Sequence, residues 1–296
     1  AKDGRVFWAQ RNGEVHFWNP KNNKTTLVGK IEVFTGLEDG LLGITLDPNF
    51  NENNHLYLFY AHPQTVVEHV NRKPRKKGFN LVSRFTLNDG KLDLSSEKEL
   101  IRIKTQRDEC CHSGGSLTFD SSGNLYASVG DNTNPFASDG FAPIDERHGR
   151  FAWDAQKSSG NANDLRGKIL RVTPQPDGTV KIPEGNLFDD VDHGARSEVY
   201  VMGNRNPFRI SVDPKTGYLY WGEVGPDAGG RRDGRGPAGY DEINQARGAG
   251  NFGWPHFIAN NRAYNRYDFG EKKSLEAFAP ANPINQSPNN TGIKEL

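Results

Sequence analysis

Three separated stretches of the chain repeat one arrangement: an apolar alternating run, a turn led by aspartate, and a second apolar run. They are Leu42-Gly-Ile-Thr-Leu-Asp-Pro-Asn-Phe followed by His55-Leu-Tyr-Leu-Phe-Tyr, then Ser116-Leu-Thr-Phe-Asp-Ser-Ser-Gly-Asn-Leu-Tyr-Ala-Ser-Val, then Arg209-Ile-Ser-Val-Asp-Pro-Lys-Thr-Gly-Tyr-Leu-Tyr-Trp. Successive strand side chains point to opposite faces, so period-two alternation on both sides of an Asp-led turn predicts a β-hairpin. The same signals predict hairpins at Val6 to Trp18 around Arg11-Asn12-Gly13, at Leu81 to Leu92 around Asn88-Asp89-Gly90, and at Ile169 to Ile182 around Pro176-Asp177-Gly178. With 33 glycines and 17 prolines there is little room for long helices, while 10% aromatic residues supply a core. Strand-only repeats with no helical period predict an all-β fold, a β-propeller of four-stranded antiparallel blades, with residues 1–296 as a single partial domain. The chain opens on a turn leading into Val6-Phe7-Trp8 and closes in a Pro/Asn-rich tail, 279–296, so the propeller is expected to be incomplete at both ends.

Charge excludes some partners. Thirty-seven basic residues balance thirty-seven acidic ones, which leaves no electrostatic case for nucleic acid or an anionic membrane surface. The basic run from Asn71 to Lys77 reads as a solvated loop. No stretch approaches the ~18 apolar residues of a membrane helix, so membrane insertion is not expected. Two cysteines and one methionine make an oxidation-resistant inventory consistent with an extracytoplasmic setting, whether periplasmic, secreted or cell-surface. Two loops interrupt the strands. The insertion 132–166 is polar yet carries Phe136, Phe141, Phe151 and Trp153 as anchors, which marks it as functional rather than disordered. A Gly/Arg-rich loop spans 225–239.

Four constellations bear on chemistry. Cys110 and Cys111 are adjacent and run into His112-Ser-Gly114-Gly115. Neighbouring α-carbons lie about 3.8 Å apart across a trans peptide, short of the roughly 4.4–6.8 Å of ordinary disulfides. A candidate vicinal disulfide would therefore be strained, and two unpaired structural thiols or a metal site remain open alternatives. Histidine is the side chain suited to general-base work at neutral pH, which makes His112 a candidate, and the two glycines let a ligand approach the backbone; an ordinary loop histidine is the plainer alternative. Met202-Gly-Asn-Arg-Asn-Pro-Phe offers the planar fork of Arg205 and the amide of Asn206 on a turn fixed by Pro207, though such a turn can equally be plain surface. Trp221-Gly-Glu-Val-Gly-Pro-Asp, Tyr240-Asp-Glu-Ile-Asn and Gly250-Asn-Phe-Gly-Trp-Pro supply carbonyls at Gly225 and Pro226 and a carboxylate at Glu242, the oxygen ligands calcium prefers, without the spacing of an EF-hand.

In this order the segments resemble the quinoprotein family of soluble glucose, aldose and sorbosone dehydrogenases, which are six-bladed propellers using pyrroloquinoline quinone (PQQ) and calcium. The matching residues are Gly40-Leu-Leu-Gly-Ile-Thr-Leu-Asp-Pro-Asn-Phe, His112-Ser-Gly-Gly-Ser-Leu-Thr-Phe, Ser128-Val-Gly-Asp, Gly167-Lys-Ile-Leu-Arg-Val, Gly203-Asn-Arg-Asn-Pro, Gly225-Pro-Asp, and Asp241-Glu-Ile-Asn leading to Asn251-Phe-Gly-Trp-Pro. The resemblance implies that His112 takes the proton from the C1 hydroxyl of a sugar as hydride moves to the quinone. It implies cofactor contacts from Arg205 and Asn206, an orienting role for Asp131, carbonyl ligands to calcium from Gly225 and Pro226, and a second calcium site from Glu242 and the Phe252 carbonyl. Glu38 stands where the family usually carries glutamine, which would bring a second negative group to an acidic cofactor. The family's later basic residues would follow Leu296. Paired cysteines before the histidine resemble a subset found in large secreted bacterial multidomain proteins, and an electron acceptor such as a cytochrome c domain is expected. The rival readings are a carbohydrate- or protein-binding propeller without quinone chemistry and a calcium-dependent lactonase.

Overall fold

The structure is a computed structural model that describes residues 1–70, 72–189 and 194–295. Its strands fall into four blade-like sheets. The first joins Val6–Ala9, Glu14–Asn19 and Lys24–Lys30. The second runs Leu41–Leu46, His55–Ala61 and Lys73–Asn88, and the last of these pairs with both Val66–Val70 and Lys91–Gln106. The third runs Gly114–Phe119, Leu125–Val129, Lys168–Pro174 and Val199–Met202, with Gly250–Asn251 added in parallel at its edge. The fourth joins Pro207–Val212, Leu219–Glu223 and Glu242–Ala246. The first strands of successive sheets lie beside one another, which is the arrangement of a propeller centre.

The aspartates of the repeat hold the turns as their chemistry dictates. Asp120 Oδ1 accepts the backbone N–H groups of Ser122 and Asn124, each at 2.9 Å, and Asp47 and Asp213 receive the N–H two residues on in the same way. Between sheets the apolar faces close on each other. Val15, Phe50, Leu58 and Phe85 fill the first interface, Tyr57, Phe59, Leu125 and Leu170 the second, and Ile169, Val201, Leu219 and Trp221 the third. Burying each such side chain contributes about 1.5–3 kcal/mol before chain entropy is subtracted. Near the centre the backbones approach so closely that a Cβ on Gly115 would lie 2.5 Å from Leu42 Cβ, and one on Gly43 would overlap the Gly115 carbonyl.

Several expectations need correction. Among the described residues there are four blades rather than six, and the outer two have three strands, not four. After the fourth sheet, Gly250–Asn251 returns to the edge of the third, and the described residues beyond it form two short hairpins, Phe257–Ile258 with Arg262–Ala263 and Asn265–Asp268 with Lys273–Ala277. Their residues Phe257, Ile258, Tyr264 and Phe278 pack on Phe141, Ile144 and Ala155 of the insertion rather than stacking as a blade. The basic run is not a loop: Asn71 lies outside the described residues, but Lys73 to Lys77 begin a strand paired with Val66–Val70, its cations mostly exposed. The insertion contains two short 3-10 turns, Phe151–Trp153 and Ala155–Lys157, and Asp154 between them, 1% exposed, accepts from Ser287 and Asn289 of the tail.

Candidate active site

Four segments meet at one end of the sheets. The chain enters the third sheet through His112, whose φ of 65° is followed by Gly114 at 66° and Gly115 at 104°. These left-handed values bend the segment so that the imidazole turns inward, where it is 4% exposed. Asp131 follows the next strand of the same hairpin, Leu125–Val129, and is fully buried. The hairpin register brings the pair together, with His112 Nδ1 2.7 Å from Asp131 Oδ1. A carboxylate can only accept here, so Nδ1 carries the proton, and in the neutral ring Nε2 presents its lone pair. The other carboxylate oxygen accepts from the indole Nε1 of Trp254 at 2.9 Å, and the Thr133 N–H adds a bond of 3.0 Å to Oδ1.

The turn bearing Arg205 and Asn206 is tied to this pair. The backbone N–H of Asp131 donates to the Arg205 carbonyl at 2.8 Å, and that of Gly114 donates to Asn206 Oδ1 at 3.1 Å. Glu223 fixes the turn from the other side: its Oε1 accepts the N–H groups of Arg205 and Asn206 at 2.7 and 2.6 Å, and its Oε2 accepts from Trp221 Nε1 at 3.0 Å. Burial pushes the Glu223 carboxyl up to about 8, although the three N–H donors oppose the shift.

Behind Arg205 lies a cavity of about 20 Å³, room for a water molecule or an ion. Gly225, Pro226, Glu242 and Phe252 all line it, together with Asn204 and Trp254. The family resemblance implies two separate calcium positions for these four ligand candidates; the structure brings them to one cavity. Both amide atoms of Asn204, which lines it, are buried without a hydrogen-bond partner, and the Arg205 Nε is buried unpartnered as well. Orphaned polar atoms around one void call for a polar or charged guest.

Glu38 reaches the site from the turn that precedes the second sheet. It is exposed, and its Oε2 accepts the His112 backbone N–H at 2.6 Å. Cys110 and Cys111 are joined as a disulfide, with the Glu38 carboxylate and both sulfurs within 4.8 Å of one another. With the sulfurs bonded to each other they are not metal ligands in this state. Sequence reasoning missed Glu223, Asn204 and Trp254 as site residues. Glu223 lies two positions before Gly225 in a quoted motif, and a strand-end carboxylate beside a Gly-Pro turn was the available signal.

The family model described as glucose/sorbosone dehydrogenase matches residues 1–293. Aldose sugar dehydrogenase YliI of Escherichia coli is 27% identical over 247 residues, covering 83% of this chain and 54% of its own length. Quinoprotein glucose dehydrogenase B of Acinetobacter calcoaceticus is 24% identical over 288 residues, covering 94% of this chain and 54% of that protein. The chain thus spans about half the length of these relatives. Among solved structures, an oxidoreductase described as a glucose dehydrogenase from Thermus thermophilus superposes with a TM-score of 0.62 at 27% identity, covering 88% of this chain and 65% of that one.

Proposed function

Because the chain belongs to the glucose/sorbosone dehydrogenase family, we propose that it forms part of a PQQ- and calcium-dependent dehydrogenase that oxidises the C1 hydroxyl of an aldose. The observation that carries this reading is the buried His112–Asp131 pair set against the Arg205–Asn206 turn. In this role His112 Nε2 accepts the hydroxyl proton, and Asp131 stabilises the imidazolium that results and fixes the ring. PQQ, when bound, supplies the two-electron acceptor for the hydride from C1. Arg205 and Asn206 would hold its carboxylate and carbonyl groups, and the unsatisfied Arg205 Nε supports that fit. The Gly225 and Pro226 carbonyls, Glu242 and the Phe252 carbonyl would hold calcium, which suits the Glu242 carboxyl and the orphaned Asn204 amide oxygen at their shared cavity. Glu38 borders the cofactor side, where its charge is offset by the His112 N–H it accepts. The Cys110–Cys111 disulfide stiffens the segment that presents His112.

The same reading makes residues 1–296 one propeller domain of four sheets, in an extracytoplasmic protein that passes electrons to an acceptor such as a cytochrome c domain. Among the described residues no helix is long and apolar enough to cross a membrane. The buried pair favours catalysis over a purely binding propeller, since a binding surface has no need of a desolvated His–Asp dyad. The test is calorimetric titration of PQQ, with and without calcium, into the full-length protein and its Arg205→Ala variant. Saturable, calcium-enhanced binding that weakens at least tenfold in the variant is expected; absence of binding in the wild type would overturn the proposal.

A further inference from the structure

We propose that Trp254 is a positioning residue for the His112 base, its indole N–H setting which Asp131 oxygen faces the imidazole. The proposal rests on His112 being the base. Asp131 is wholly buried, and its Oδ2 has the indole at 2.9 Å as its partner while Oδ1 serves His112 and the Thr133 N–H. Taking away the indole would leave Oδ2 an unpaired buried acceptor, free to rotate toward His112. The indole is itself rigidly held. It is 5% exposed, its backbone N–H donates to the Gly203 carbonyl at 3.0 Å, and Tyr264 packs edge-on at 5.9 Å and 87°. Hydrogen bonding by the indole also draws charge from the carboxylate, so the shared proton stays on His112 Nδ1 and Nε2 stays free to act.

Other charges near Asp131 are committed elsewhere. Arg166, which Asp131 helps keep protonated, is forked onto Asp164, and Lys168 donates to the carbonyls of Ser158, Ser159 and Arg166. Arg205 meets Asp131 through its backbone carbonyl, while its guanidinium donates to the Val224 carbonyl. The indole is thus the side-chain donor that tunes the dyad from outside it.

The test is imidazole nitrogen NMR on the protein without added cofactor, wild type against Trp254→Phe, which keeps an aromatic ring and removes the donor. A less shielded negative charge should raise the His112 midpoint by about one pH unit in the variant. A midpoint that does not rise in a folded variant overturns the proposal. Should that variant fail to fold, the wild type decides: the Trp254 indole N–H resonance must shift through the His112 titration, and a resonance that stays still overturns it. Because no quinone is needed, failure here is distinguishable from failure to bind PQQ. In the loaded enzyme the variant should lower kcat with KM for sugar retained.

Discussion

His256 gives a pH dependence of stability that can be worked through from the structure. It is 2% exposed, its ring stacks on Phe278 at a centroid distance of 4.1 Å, and its Nε2 lies 3.2 Å from Gln156 Oε1. Burial, helped by the nearby Arg266, pushes its pKa down to about 3. The unfolded chain, with an ordinary histidine pKa of about 6.5, binds a proton that the folded state refuses. Stability from this group is therefore present above pH ~6.5 and is lost as pH falls, at up to about 1.36 kcal/mol per pH unit, until the folded pKa is reached. Integrated between those two values, the loss is about 2 kcal/mol on going from pH 7.5 to 5 and about 3 kcal/mol by pH 4. Urea midpoints of the wild type and His256→Gln, measured from pH 7.5 to 5, isolate it, because other titrating groups cancel in the difference. The wild-type advantage should shrink by about 2 kcal/mol over that range. A difference that stays flat with pH would show that His256 takes up its proton as readily in the fold as in the unfolded chain and would refute the reasoning.

Three further outcomes follow from named contacts. Asp131→Asn should lower kcat by about 10²–10⁴-fold, read in steady-state kinetics, because an amide neither holds the Nδ1 proton reliably nor stabilises the imidazolium. Lys168→Met should cost about 3 kcal/mol or more in chemical denaturation, since three buried carbonyls lose their donor. Gly43→Ala should destabilise the protein and lower its melting temperature, because the added methyl has the Gly115 carbonyl in its way and neither backbone can retreat without parting the second and third sheets.

What could be read from the sequence was local chemistry. The Asp-led hairpins are written within about fifteen residues each, and Asp47, Asp120 and Asp213 make the turn bonds that their positions predict. The hairpin of Lys73–Asn88 and Lys91–Gln106 was read only around its tip at Asn88-Asp89-Gly90. The far end of the first strand, Lys73 to Lys77, is basic and mostly exposed, so no alternation marks it and pairing with Val66–Val70 makes it a strand. The far end of the second does alternate, with Ile101, Ile103 and Thr105 buried between exposed Arg102 and Lys104, a signal that sequence reasoning missed. The insertion is held by buried polar residues whose partners are remote in sequence, such as Asp154 with Ser287 and Asn285 with Gln156, and no periodicity encodes such pairs. The site divides in the same way. His112 and Asp131 sit on one hairpin, 19 residues apart, whereas Trp254 reaches Asp131 across 123 residues. A glycine-flanked histidine announces itself, but the donor that completes its partner appears only once the sheets are assembled.

The most direct test of the account is dye-coupled oxidation of a panel of aldoses by the full-length protein loaded with PQQ and calcium, beside His112→Ala. The account predicts sugar-dependent dye reduction in the wild type and a loss of at least a hundredfold in kcat in the variant, with quinone binding retained. Quinone binding without any sugar-dependent reduction in the wild type, or equal turnover without His112, would contradict it.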